Sequence, residues 1–293
     1  MFTPEFDAYV EPAKPHAQIW RLVLGFVVIV AVYLLFVVLI FATLYSVFGD
    51  QAGQFADETA EANTPTGMFI LFASFAGAVF GTFLAVRVVH KRSPKTLFGP
   101  RARVLNDFAV SAAAVVALNA VFLLVLSIWV TPLPNLPFTL WLTLLPLTLI
   151  GLLIQTGAEE LVFRGYLQQQ LGARFRSPLI WMVLPSLLFA SLHYSPETAG
   201  GNTWLIVGAT GFFGLLAADL TRVTGSLGAA WGFHFANNLW AIVFLAVDGN
   251  VTGLALYVTP YSADDTDLLP QLIGVDLVSM VVIWFILRRV FHR

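Results

Sequence analysis

From Ile19 to Phe48 the chain runs through thirty residues with one charge, at Arg21. About 20 apolar residues suffice to cross the hydrocarbon core of a bilayer, so this run is long enough to span it. It is too long for the core of a signal peptide, and no small-residue cleavage pattern follows. It therefore reads as a retained first transmembrane helix. Comparable runs recur at about Met68–Val89, Val104–Val130, from Phe138 into the segment around Glu159, and from Pro178 to His193. Three more follow at Trp204–Leu220, up to Val247, and at about Leu272–Leu287. The expectation is an all-α, polytopic membrane helix bundle with about eight transmembrane helices. It forms a single integral membrane domain over residues 1–293, with a core region at 138–247 that carries the motifs described below. Only 11% of the residues are charged, against about 25% in soluble domains, which supports the membrane class.

The placement of the charges orients the bundle. With both termini cytoplasmic, all fifteen Lys and Arg residues fall on or near the cytoplasmic side, while the four opposite loops hold none and carry nine acidic residues. The positive-inside rule then predicts that orientation, and the short loops and compact chain suggest the cytoplasmic membrane of a bacterium. Residues 1–18, with Pro4, Pro12 and Pro15, read as a short, poorly ordered polar arm. The absence of cysteine excludes disulfides, thiol catalysis and thiolate metal sites. Basic residues are few and scattered, so the expected partner is the lipid bilayer and not nucleic acid.

Three polar groups interrupt the apolar background. Glu159, Glu160 and Arg164 lie in Gly157-Ala158-Glu159-Glu160-Leu161-Val162-Phe163-Arg164. On a helix Glu160 and Arg164 share a face and can pair, whereas Glu159 lies about 100° round the axis. The simplest division makes Glu160–Arg164 a structural pair and leaves Glu159 facing a cavity. The second group is Phe189 to His193, and the third is His234 with Asn237 and Asn238, where His234 and Asn238 are four residues apart. Each has a plain structural reading: an interfacial imidazole, an interhelical hydrogen bond or a buried ionic clasp. Asp219, Asp276, Asn106, Asp107 and Asn119 are set aside as residues that pair or cap near span ends.

Taken together, a carboxylate, two imidazoles and an amide are the parts needed to hydrolyse an amide bond. Glu159 can accept a proton from water, one imidazole can position that water, and Asn with the other imidazole can stabilise the oxyanion. Ser191 and Ser195 lack the signature of a serine nucleophile. Two His and one Glu (Glu159, His193 and His234) are also a catalytic zinc ligand set. The His-Glu-x-x-His helix is absent, however, and Asn is a poor zinc ligand. A mechanism without a cofactor ranks first and zinc second.

These residues resemble the CAAX-protease and bacteriocin-processing (CPBP, Abi) family of intramembrane proteases. That family is marked by Glu-Glu-x-x-x-Arg, Phe-x-x-x-His and His-x-x-x-Asn on separate helices. Here they read Glu159 to Arg164, Phe189 to His193 and His234 to Asn238, in order within about Leu140–Leu245. The resemblance implies a glutamate-type or metallo-type endopeptidase acting on a membrane-associated peptide or protein. Glu159, helped by His193, would activate water; His234 and Asn238 would form the oxyanion site; Glu160, Arg164 and Phe189 would support them. The alternatives are a non-catalytic immunity or binding protein of the same fold, and a small-solute transporter. The transporter is disfavoured because the two halves show no internal symmetry.

Straight helices create a conflict. Glu159 would sit near the cytoplasmic boundary and His193 near the opposite one, about 20 Å or more apart. The expectation is either a tilt or break of the fourth helix near Gly151 and Gly157, or a fifth helix that starts at the interface and dips late, at Pro185.

Overall fold

A computed structural model of the protein describes residues 2–128, 130–249 and 251–291. Trp129, in the expected third span, and Arg293, in the C-terminal basic cluster, lie outside them. The helices are α1 (Pro4–Val10), α2 (Ile19–Phe48), α3 (Ala52–Glu61), α4 (Pro65–Val88), α5 (Arg101–Leu126) and α6 (Phe138–Glu160). Then come α7 (Gln169–Arg174), α8 (Leu184–Ser191), α9 (Pro196–Ala199), α10 (Thr203–Thr224), α11 (Gly228–Asn238) and α12 (Leu269–Phe291). Three π-helical stretches continue them: Leu161–Gln168 joins α6 to α7, Leu179–Val183 leads into α8, and Leu239–Phe244 extends α11. A short sheet departs from the all-helical plan. Its strands are β1 (Leu133–Pro134), β2 (Leu245–Asp248) and β3 (Tyr257–Ser262), in the order β1-β3-β2. β1 runs antiparallel to β3, and β2 runs parallel to it.

Six helices among the described residues are long and apolar enough to cross a membrane. The other two expected spans are shorter: the fifth is the apolar helix Leu179–Ser191, and the seventh is α11 with its π extension. The large apolar side chains left exposed along α2, such as Leu34, Leu35, Val38 and Leu39, are the lipid-facing surface expected of such a bundle. Thr3, Arg103, Arg222, Arg288 and Phe291 line one cavity, so the N-terminal segment and the end of α12 lie at the same end of the bundle.

The N-terminal arm is ordered, contrary to its polar, proline-rich reading. Thr3 caps α1 by accepting from the Phe6 amide, and Pro4 occupies the first helical position, where no amide donor is needed. Phe6, Tyr9 and Val10 then fall on one face and pack with Leu171 and Trp181. Tyr9 donates to Leu97 O at 2.6 Å, and Gln169 Nε2 donates to Tyr9 O at 2.7 Å.

Behind this cap His90 is fully buried between the carbonyl of His16 (3.1 Å) and the hydroxyl of Tyr166 (2.9 Å). Burial, with smaller contributions from Arg92, Arg21 and His16, lowers its pKa from 6.5 to about 4, against the backbone bond to His16, which raises it. Between those values the unfolded chain binds a proton that the folded chain refuses. The neutral imidazole therefore contributes stability above pH 6.5 that is lost as pH falls towards 4. The expected loss is ~2 kcal/mol. Melting temperatures in detergent from pH 7.5 to 4.5 should fall more steeply for wild type than for His90→Gln, and parallel curves would refute the assignment.

The helix that carries His234 is held close to α5 by Gly228 and Gly232, four residues apart. A Cβ on Gly228 would stand 2.1 Å from Val104 O, and one on Gly232 2.3 Å from Phe108 O, so the two backbones touch. Gly232→Val is expected to force α5 and α11 apart at a cost of ~2 kcal/mol or more. A melting temperature equal to wild type would rule out the close crossing.

Candidate active site

The fourth helix does not break at Gly151 or Gly157. It runs unbroken from Phe138 to Arg174, changing to π-helix after Glu160. Gly157 is instead where Trp231 of α11 crosses: a Cβ there would meet the indole at 2.9 Å, and Trp231 Nε1 donates to Thr156 Oγ1 at 3.2 Å. Glu159 lies fifteen residues before the end of this helix at Arg174, and His193 fourteen residues after Leu179. At about 1.5 Å per residue, both are roughly 20 Å from the end of the bundle where the two helices join. The long fourth helix and the short fifth one thus remove the conflict in depth without a break.

Glu159, His193, His234 and Asn238 all line one cavity of about 330 Å³, together with Gln155 and Asn237. Glu160 and Arg164 do not line it. They form a fully buried ion pair, with Arg164 Nη1 donating to Glu160 Oε1 at 2.7 Å. Arg164 Nη2 also donates to Gly214 O at 3.2 Å, and its guanidinium lies 5.0 Å from the centroid of the Phe189 ring. Phe189 contacts several members of the site edge-on, with centroids 4.9 Å from His193 and 6.0 Å from His234. It is the apolar wedge that sets both imidazoles.

His234 bridges the two carboxylates. Its Nδ1 lies 2.8 Å from Glu160 Oε1, and its Nε2 lies 3.3 Å from Glu159 Oε2. A carboxylate only accepts, so Nδ1 carries a proton and donates it to Glu160. Nε2 is thereby turned to the cavity, where Asn238 Nδ2 stands 3.3 Å away. Asn238 Nδ2 also donates to Gln155 Oε1 at 3.1 Å. Gln155 sits one turn before Glu159, and that i, i+4 spacing was the available sign of its place in the site. His193 follows the last turn of α8, with Nδ1 donating to its own helix at Phe189 O, 3.1 Å away. Its Nε2 is left as an acceptor. Both Asn237 and Asn238 reach the cavity.

The expected zinc ligands fit a metal poorly as they stand. Among the described residues no three His, Asp or Glu side chains gather closely enough to hold an ion. His234 already spends Nδ1 on Glu160, and its Nε2 stands 3.3 Å from Asn238 Nδ2.

Residues 139–240 match the model of the family described as Rce1-like, Type II CAAX prenyl endopeptidase Rce1-like. The matched segment contains every one of the motif residues. The chain is also 28% identical over 261 residues to the uncharacterized protein YyaK of Bacillus subtilis (strain 168), covering 84% of this chain and 85% of that one. No solved structure matches.

Proposed function

We propose, for a chain whose residues 139–240 match the Rce1-like type II CAAX prenyl endopeptidase model, the hydrolysis of a peptide bond in a membrane-associated peptide or protein by a water activated at Glu159. The observation that carries this reading is the shared cavity. One carboxylate, two imidazoles and an amide face the same space, while the neighbouring carboxylate Glu160 is withdrawn into an ion pair.

In this mechanism Glu159 takes a proton from a water held between its carboxylate and the free Nε2 of His193. The hydroxide adds to the scissile carbonyl carbon, and negative charge gathers on the carbonyl oxygen. Asn238 Nδ2 donates to that oxygen with the N–H it otherwise turns to His234 Nε2, and His234 donates as well when its ring has taken a second proton from solvent. Collapse of the intermediate breaks the C–N bond, and Glu159 returns the proton to the leaving amine. The ring orientation is fixed before substrate arrives, which is what makes donors effective in a low-dielectric site. No metal takes part in these steps. With Lys and Arg on the cytoplasmic side, the cavity, lined by Val247, Ala263 and Leu269 beside the acidic loop, lies nearer the opposite end of the bundle.

The test is release of product from membrane-anchored peptides by the purified protein in lipid, read by mass spectrometry with and without a chelator. Cleavage that survives chelation supports a glutamate-activated water. Cleavage abolished by the chelator and restored by zinc would replace it with metal chemistry. A folded wild-type protein that cuts no peptide in a broad library would remove the peptidase reading.

A further inference from the structure

Asp276 lies in the last membrane helix, seven residues inside its start at Leu269 and roughly 10 Å along it, so it does not cap a helix end. Leu269, Ile273, Asp276 and Met280 recur at the spacing of one helical face, and all four line the cavity that holds Glu159. The Asp276 carboxylate makes no hydrogen bond or ion pair with any described residue. No Lys or Arg among the described residues lines that cavity either, whose ionisable groups are Glu159, Asp276, His193 and His234. Asp276 and Asn237 are also shared with an adjoining cavity of about 220 Å³ that continues towards Thr259 and Tyr261 of β3. A carboxylate within a membrane helix normally meets a partner in the bundle or serves a ligand. The other acids of the bundle have theirs: Glu160 meets Arg164, and Asp219 meets Arg222.

We propose that Asp276, with Asn237 beside it, is a subsite for a positively charged group on the substrate, either a Lys or Arg side chain or a free terminal ammonium. This rests on the reading of the cavity as a peptide site. A peptide lying across both cavities would place its scissile bond at Glu159 and its cation at Asp276. Attraction between the charges is stronger in this half-buried cavity than in open water. A neutral or acidic group at the same position would leave the carboxylate unpaired or repelled. Asp276 is therefore a specificity residue and takes no part in bond cleavage.

Binding tests this separately from cleavage. The protein with Glu159→Gln, reconstituted in lipid, is titrated with fluorescent membrane-anchored peptides. These carry one Lys at each position in turn, or norleucine or acetyl-lysine in its place, with free or acetylated N-termini. At one position Lys is expected to bind at least about tenfold tighter than norleucine or acetyl-lysine. If the cation is the terminal ammonium, N-acetylation produces the loss instead. Asp276→Asn in the same background should bring the ratio to about one, whereas Asp276→Glu should keep it.

Equal binding of charged and neutral peptides overturns the proposal. So does a preference that survives Asp276→Asn, and so does the failure of every peptide to bind. If Asp276→Asn does not fold, the Lys-to-norleucine ratio of the Asp276-containing protein still decides whether a cation is selected, and its decline with salt identifies an ionic contact. Charge-selective binding without cleavage by wild type would keep the subsite and remove the peptidase reading. Cleavage without charge selection would do the reverse.

Discussion

Glu159→Gln is expected to lower peptide hydrolysis by about 10²–10⁴-fold, the range for removing a general base, without lowering thermal stability. Glutamine keeps the size of the side chain but cannot take a proton from water. Glu159 lines the cavity, and its polar contact with protein is the 3.3 Å approach to His234 Nε2, so little of the fold depends on it. The adjacent Glu160→Gln is expected to behave differently. Glu160 is fully buried and accepts from both Arg164 and His234. Its replacement leaves Arg164 without a counter-charge and frees the His234 ring, so stability and activity should fall together. Turnover per folded molecule, measured beside melting temperature for the two variants, separates the roles. A Glu159→Gln protein that still cleaves at the wild-type rate would remove Glu159 from the mechanism.

Arg164→Met is expected to destabilise the bundle by about 3–5 kcal/mol, because it strands the Glu160 charge at the centre of the core. Glu160 Oε2 already lacks a hydrogen-bond partner, so the carboxylate depends on the oxygen that Arg164 and His234 share. Arg164→Lys should recover part of the loss only. An ammonium can reach Glu160, but it cannot hold the planar contact over Phe189 and donate to Gly214 O at the same time. Thermal unfolding in detergent checks both variants. The double change Arg164→Met with Glu160→Met, which removes both charges, should be milder than Arg164→Met alone. If it is as severe, packing and not charge is what Arg164 supplies.

Much of this arrangement can be read from the chain alone because it depends on short-range spacing. Runs of apolar residues identify membrane helices, since a buried charge is costly wherever the helix lies. Four-residue spacings put Glu160 beside Arg164 and His234 beside Asn238, since helical geometry is local. The order of the N-terminal arm is not legible in the sequence, because three prolines and polar residues outweigh Phe6, Tyr9 and Val10. Those side chains acquire their meaning only from the apolar patch at Leu171 and Trp181 that receives them.

Tertiary structure decided the rest. It set Glu159 and His193 at one depth by continuing the fourth helix to Arg174 and ending α8 at Ser191. It brought His234 between both glutamates by crossing α11 over α6, where Trp231 packs against Gly157. It also turned Asp276, from the far end of the chain, into the same cavity. The physical reason is range. Hydropathy and periodicity describe what one helix does with its own neighbours, whereas a cavity exists only where several helices converge, and no local spacing encodes which residues meet across it.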